Sequence, residues 1–142
     1  MKCMRYGAAL LMVVVLSSFN FFDPWKEAQL MAPETLANII KDAHASPILI
    51  INIGPAGLIK QAIDIGPMSD DSNVEKLKSL LGKTNKSTAV VVYCGCCPFK
   101  NCPNIRPAFE LLKLYKFSKP YLLNLPHNLK VDWIDKGFPM SK

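Results

Sequence analysis

Residues 89–107 read AVVVYCGCCPFKNCPNIRP. The run from Ala89 to Tyr93 is apolar and mostly β-branched, the pattern of a strand buried on both faces. Cys94, Cys96, Cys97 and Cys102 follow in a loop punctuated by Pro98 and Pro103. Asn104 then stands where a helix N-cap is expected. The fifth cysteine, Cys3, lies in the N-terminal segment, so the thiols of the mature domain are gathered in this one loop.

Working outward, the same alternation of strand and helix repeats along the chain. Pro33 suits the first position of a helix over PETLANIIKDAHA, with Glu34 in its first turn and Leu36, Ile39, Ile40 and Ala43 at helical spacing. Ile48 to Ile53 (ILIINI) reads as another buried strand, broken by Gly54, Pro55 and Gly57. A short strand is expected around Ala62 to Ile65. Ser72 and Glu75 form a capping-box pattern before a helix carrying Val74, Leu77, Leu80 and Leu81, which stops near Gly82. After the cysteine loop, a helix from Asn104 through Phe117 buries Ala108, Leu111, Leu112 and Tyr115. Tyr121 to Leu125 reads as a further strand, and Val131 to Lys136 as a final short helix stopped by Gly137. Strands alternating with helices, without hairpin turns, predict a single α/β domain: a central, mostly parallel sheet with helices on both faces. Ligands of such folds bind beyond the carboxyl ends of the strands, where the cysteine loop falls.

At 142 residues the chain has room for one domain with a substantial core. The formal charge of +6 includes Lys2 and Arg5, and the remaining lysines are dispersed. That distribution reads as solvated helix faces and argues against a nucleic-acid partner, which calls for a clustered basic stripe. Lys2 and Arg5 precede ten unbroken apolar residues, Gly7 to Leu16 (GAALLMVVVL), the layout of a secretory signal peptide. The run is short of the roughly 20 residues of a membrane span. Residues 1–22 are therefore expected to be a signal peptide, or alternatively an uncleaved N-terminal anchor, and 23–142 the domain. Both readings place the domain outside the cytoplasm, periplasmic or secreted, where disulfides are allowed.

Several motifs together resemble a rhodanese-like (sulfurtransferase) domain. MAPETLANII resembles the helix that opens such domains, ILIINI the first core strand, VVVYC with its loop and helix the active-site segment, and DWIDKGFPM the closing signature. The similarity spans roughly Gln29 to Met140. It implies that Cys94 is a nucleophile that takes up a sulfane sulfur as a persulfide and hands it to an acceptor. It also implies that Arg106, in the first turn of the following helix, helps hold an anionic donor. The partners implied are a small sulfur-containing donor and a thiol acceptor, for a monomer with no cofactor. The loop is atypical and extended, with a Cys-Gly-Cys-Cys-Pro start. Asn52, Ile53 and Gly54 stand where the family strand ends Asp-x-Arg.

The four cysteines admit other chemistries. Cys97 or Cys102 can serve as a resolving thiol beside Cys94, with Cys96 as accessory thiol. Cys94 to Cys97 is a Cys-x-x-Cys, compatible with thiol–disulfide exchange, although Pro98 and Pro103 oppose the helix that motif normally begins. Cys94, Cys96, Cys97 and Cys102 can also bind a soft metal, or pair as two structural disulfides on a non-catalytic scaffold. A Cys-x5-Arg phosphatase is excluded, because Lys100 stands six residues before Arg106. His127 is a candidate base but equally a solvated loop residue. His44 reads as a helix-end cation, Asp132 and Asp135 as a solvated face, and Trp133 as core.

Overall fold

The computed structural model describes residues 23–142; the segment 1–22, with Cys3 and the expected leader or anchor, lies outside the described residues. Five parallel strands form one sheet: β1 (Leu30–Met31), β2 (Ile48–Asn52), β3 (Ile63–Asp64), β4 (Ala89–Tyr93) and β5 (Lys119–Leu123). Their order is β1-β5-β4-β2-β3, so β4 lies at the centre between β2 and β5. Three α-helices cover the sheet: α1 (Pro33–Lys41), α2 (Asp71–Lys83) and α3 (Ile105–Leu114). No helix among the described residues is long and apolar enough to cross a membrane.

The period-two alternation of the central strands sorts their side chains between two cores. Ile51, Val90, Val92 and Leu122 pack with Leu77 and Leu81 of α2 and Ile105, Ala108, Phe109 and Leu112 of α3. Ile50, Val91 and Leu123 pack with Leu36, Ala37 and Ile40 of α1 and with Trp133, which is fully buried in the closing turn Lys130–Ile134. The α/β class, the parallel sheet and the helices on both faces are thus as the sequence predicts.

Several element ends differ from the sequence reading, each for a local reason. Helix α1 stops at Lys41, because the Asp42 side chain accepts the backbone N–H of His44 (2.8 Å) and turns the chain away. His44 consequently lies past the helix end. The N-cap of α2 is Asp70, which accepts the Ser72 N–H at 2.8 Å, while Glu75 pairs with Lys78 instead of reaching back. Helix α3 ends earlier than expected, with Lys116 in the left-handed region (φ 59°) and the Phe117 N–H bonded to the Leu112 carbonyl at 3.2 Å. This is a Schellman-type stop formed without glycine. Strand β5 pairs with β4 from Lys119 onward, two residues before the expected start.

Edge strand β1 has no counterpart in the sequence reading; two residues are too few to display a period. The preceding segment is anchored by Trp25, 5.9 Å from Phe109 and 6.0 Å from Phe99 between ring centroids.

Candidate active site: the cysteine loop

The chain runs from β2 outward to edge strand β3, then returns through α2 to β4 on the other side of β2. The connections therefore diverge between β2 and β4, and the crevice beyond their carboxyl ends is where this architecture places its chemistry. Gly54 follows β2 there, and Cys94 follows β4.

Asn52, the last residue of β2, is buried and organises one side of this crevice. Its side-chain amide donates to the Gly54 carbonyl (3.0 Å), the Ala56 carbonyl (3.3 Å) and Asp64 (3.0 Å), and its Oδ1 accepts the Gly54 N–H. Tyr93, the last residue of β4, holds the same segment further on. Its hydroxyl accepts the Ile59 N–H at 2.9 Å and donates to the Gly57 carbonyl at 3.2 Å. Burial pushes the Tyr93 phenol up to about 12, so it stays protonated and able to donate.

The loop after β4 is fixed by its glycine. Gly95 has φ 77°, and a Cβ there would meet the Cβ atoms of Leu129 (2.8 Å) and Ala56 (3.0 Å). The Gly95 carbonyl accepts the Leu129 N–H at 2.8 Å, and the Phe99 N–H is donated to the Leu125 carbonyl at 3.2 Å. Held in this way, the loop turns Cys94 and Cys102 inward, both 1% exposed, and leaves Cys96 in solvent. The Sγ atoms of Cys94, Cys96 and Cys102 all lie within 4.8 Å of one another. Cys94 and Cys96 are 3.2 Å apart, and Cys97 lies 3.5 Å from Cys96 outside that group.

Asn104 occupies the N-cap position of α3, as the sequence predicts, but its side chain does not cap. Its Oδ1 accepts the Met68 N–H at 2.9 Å and its Nδ2 points to Cys94 Sγ at 3.5 Å. The Cys94 thiol is held well below its usual value, first by Cys102, then by Asn104 and the Cys96 backbone N–H, against the opposing effect of burial. The same contacts, with burial, push Cys102 up, and burial raises Cys96 to about 12. Among Cys94, Cys96 and Cys102, Cys94 is the one the surroundings favour as thiolate.

The other candidates have different surroundings. The Arg106 guanidinium donates to the Lys100 carbonyl (3.1 Å), pairs with Asp23 and lies 5.4 Å from the Trp25 ring. It ties the N-terminal segment to α3, and none of its hydrogen bonds is to a thiol. His127 is exposed, with Nδ1 2.8 Å from Asp132. Asp132 is buried, correcting its reading as a solvated residue: it also accepts the backbone N–H groups of His127 (2.7 Å) and Asn128 (3.1 Å). Asp135 is exposed and pairs with Lys130. The roles of Asn104, Gly54 and Asn52 at the site depend on chain segments that meet only in the fold, and residue spacing does not mark them.

No protein-family model matches the chain, and no curated protein is significantly similar to it. Among solved structures, the chain is similar to the rhodanese-like domain of an Anabaena sp. protein, determined by solution NMR. The match has a TM-score of 0.55 and 18% identity, and covers 80% of this chain and 78% of that domain. The fold is rhodanese-like.

Proposed function

We propose that the protein is an exported sulfur carrier in which Cys94 takes up a sulfane sulfur and passes it to a thiol acceptor. The observation that carries this reading is the placement of the Cys94 Sγ. It follows the central strand at the β2–β4 crevice and faces the Asn104 side-chain amide and the Cys96 backbone N–H. Donors aimed at a buried sulfur favour negative charge there, both on the attacking thiolate and on the terminal sulfur of a persulfide.

In the first step the Cys94 thiolate attacks the outer sulfur of a donor such as thiosulfate or a small persulfide. A Cys94 S–S bond forms, the donor S–S bond breaks, and sulfite or the donor thiolate leaves with the electron pair. Cys94 is 1% exposed and so open only to a small donor entering beside Cys96, whereas Cys96, exposed and 3.2 Å away, meets the larger acceptor. Cys96, exposed to solvent, gives up its proton to a solvent base as it attacks the outer sulfur of the Cys94 persulfide, and Cys94 departs as thiolate. An external thiolate then takes the sulfur from Cys96 in the same manner. Each exchange conserves the sulfane sulfur and needs no outside oxidant.

The test is intact mass and peptide mapping of reduced protein after exposure to thiosulfate or a small persulfide. Gain of one sulfur on the loop peptide, lost in Cys94→Ser, is the expected result. No gain, or a gain that Cys94→Ser retains, overturns the reading. The exported state rests on the basic and apolar pattern of residues 2–16, and N-terminal sequencing of the mature product tests it.

A further inference from the structure

We propose that Cys94, Cys96 and Cys102 form a three-thiolate site for one soft monovalent cation, Cu(I). The claim is independent of sulfur transfer, although both use Cys94.

The argument starts from the sulfur positions. Three thiolates around one ion, with metal–sulfur bonds of about 2.3 Å, stand about 4 Å apart in a trigonal arrangement. Here the three Sγ atoms lie within 4.8 Å of one another, the shortest separation being 3.2 Å. Adjustments of less than an ångström bring them to that geometry. The ligands come from both ends of the loop, so the site is set by the fold as well as by the spacing in sequence. Cys94 is fixed by strand β4, Cys102 by the turn ending Phe99–Asn101, and Cys96 by the left-handed turn at Gly95.

Ligand type and number choose the ion. The cluster contains cysteine alone, with no carboxylate or imidazole among its members. Pure thiolate sets select soft ions. Zinc takes four ligands in its structural sites, and the fourth cysteine, Cys97, stands outside the group, 3.5 Å from Cys96. A three-coordinate d10 ion fits the three sulfurs after those sub-ångström shifts. Two of them, on Cys94 and Cys102, are 1% exposed, and the Gly54 backbone closes over Cys94, which shields the bound ion on one side. Cys96 is exposed and supplies the path for the ion to enter and leave.

The experiment titrates the reduced, oxygen-free full chain with Cu(I) held by a chromophoric chelator. One equivalent is withdrawn from the chelator, and X-ray absorption of the loaded protein reads three sulfur neighbours at about 2.3 Å. Cys96→Ser, a change at an exposed position, lowers the affinity at least ~10-fold, the scale at which even outer partners of metal ligands act. Cys97→Ser stays within about twofold of the parent, as a thiol outside the ligand set should. Circular dichroism verifies that both variants are folded, and the absorption measurement needs no variant. Failure to withdraw Cu(I), a four-sulfur shell, an equal loss in Cys97→Ser, or tighter binding of Zn(II) through all four cysteines overturns the proposal. Sulfur uptake measured on metal-free protein reports separately on sulfur transfer.

Discussion

The backbone of Gly54 closes directly over the thiol of Cys94: a Cβ at position 54 would lie 2.4 Å from Cys94 Sγ. It would also lie 2.6 Å from the Cys94 carbonyl oxygen and 2.9 Å from its Cα. The carboxyl ends of β2 and β4 thus approach as closely as a residue without a side chain permits.

Gly54→Ala forces these segments apart and costs about 1–3 kcal/mol, as overpacking does in a filled interior. Denaturant unfolding measures the loss, and sulfur uptake at Cys94 falls with it. Cys94→Ala in the same chain restores only part of the stability, because the clash with the Cys94 backbone persists. A Gly54→Ala protein as stable as its parent would contradict the close approach.

Asn104 joins Met68 to Cys94, so Asn104→Ala removes two hydrogen bonds at once. The buried Met68 N–H loses its acceptor, at about 1–3 kcal/mol. Thiolate absorbance followed against pH reads the other contact. The Cys94 thiol lies at about 5, so its thiolate signal is present above that pH and disappears as the pH falls through it. In Asn104→Ala the midpoint moves upward, and in Cys94→Ala this transition is absent. An unmoved midpoint would show that the side-chain amide does not act on the sulfur.

Tyr93→Phe leaves the buried Ile59 N–H without its 2.9 Å acceptor. The expected loss is about 1–3 kcal/mol. Hydrogen exchange should show the Ile59 amide losing protection while the core strand amides of β4 keep theirs, since their partners lie in β2 and β5.

Asp132 governs acid stability at the closing turn. Burial raises its carboxyl, but the His127 side chain and the N–H groups of His127 and Asn128 outweigh that effect and leave it lowered. A carboxyl lowered in the folded state stabilises the protein above the ordinary carboxylate range, and the contribution disappears as pH falls through the lowered value. In Asp132→Asn the protein loses about 1–3 kcal/mol near neutral pH. Its unfolding free energy also becomes less pH-dependent in acid. Parallel acid limbs for the two proteins would refute the assignment.

Much of the fold is legible because burial imposes periodicity. The runs ILII and AVVVY are apolar on both faces because helices cover both faces of the sheet, and α2 and α3 show their inner faces at helical spacing. Pro33 marks the start of α1 because a first-turn proline lacks only an N–H that the helix leaves unbonded. The ends are less legible. Asp42, Asp70 and Lys116 decide them through individual hydrogen bonds or a single left-handed residue, and such contacts leave no periodic trace.

By itself, then, the sequence determined the α/β class, the parallel sheet and the position of a cysteine loop at the end of its central strand. Those features follow from patterns local to the chain. Tertiary structure decided how the four thiols differ. Asn104 turns from capping its helix to face Cys94, Gly54 covers that sulfur from another strand, and Cys102 returns to it while Cys97 does not. Arg106 and Asp23 are likewise paired across 83 residues of sequence. These relations depend on distances between segments far apart in the chain, and residue spacing alone does not encode them.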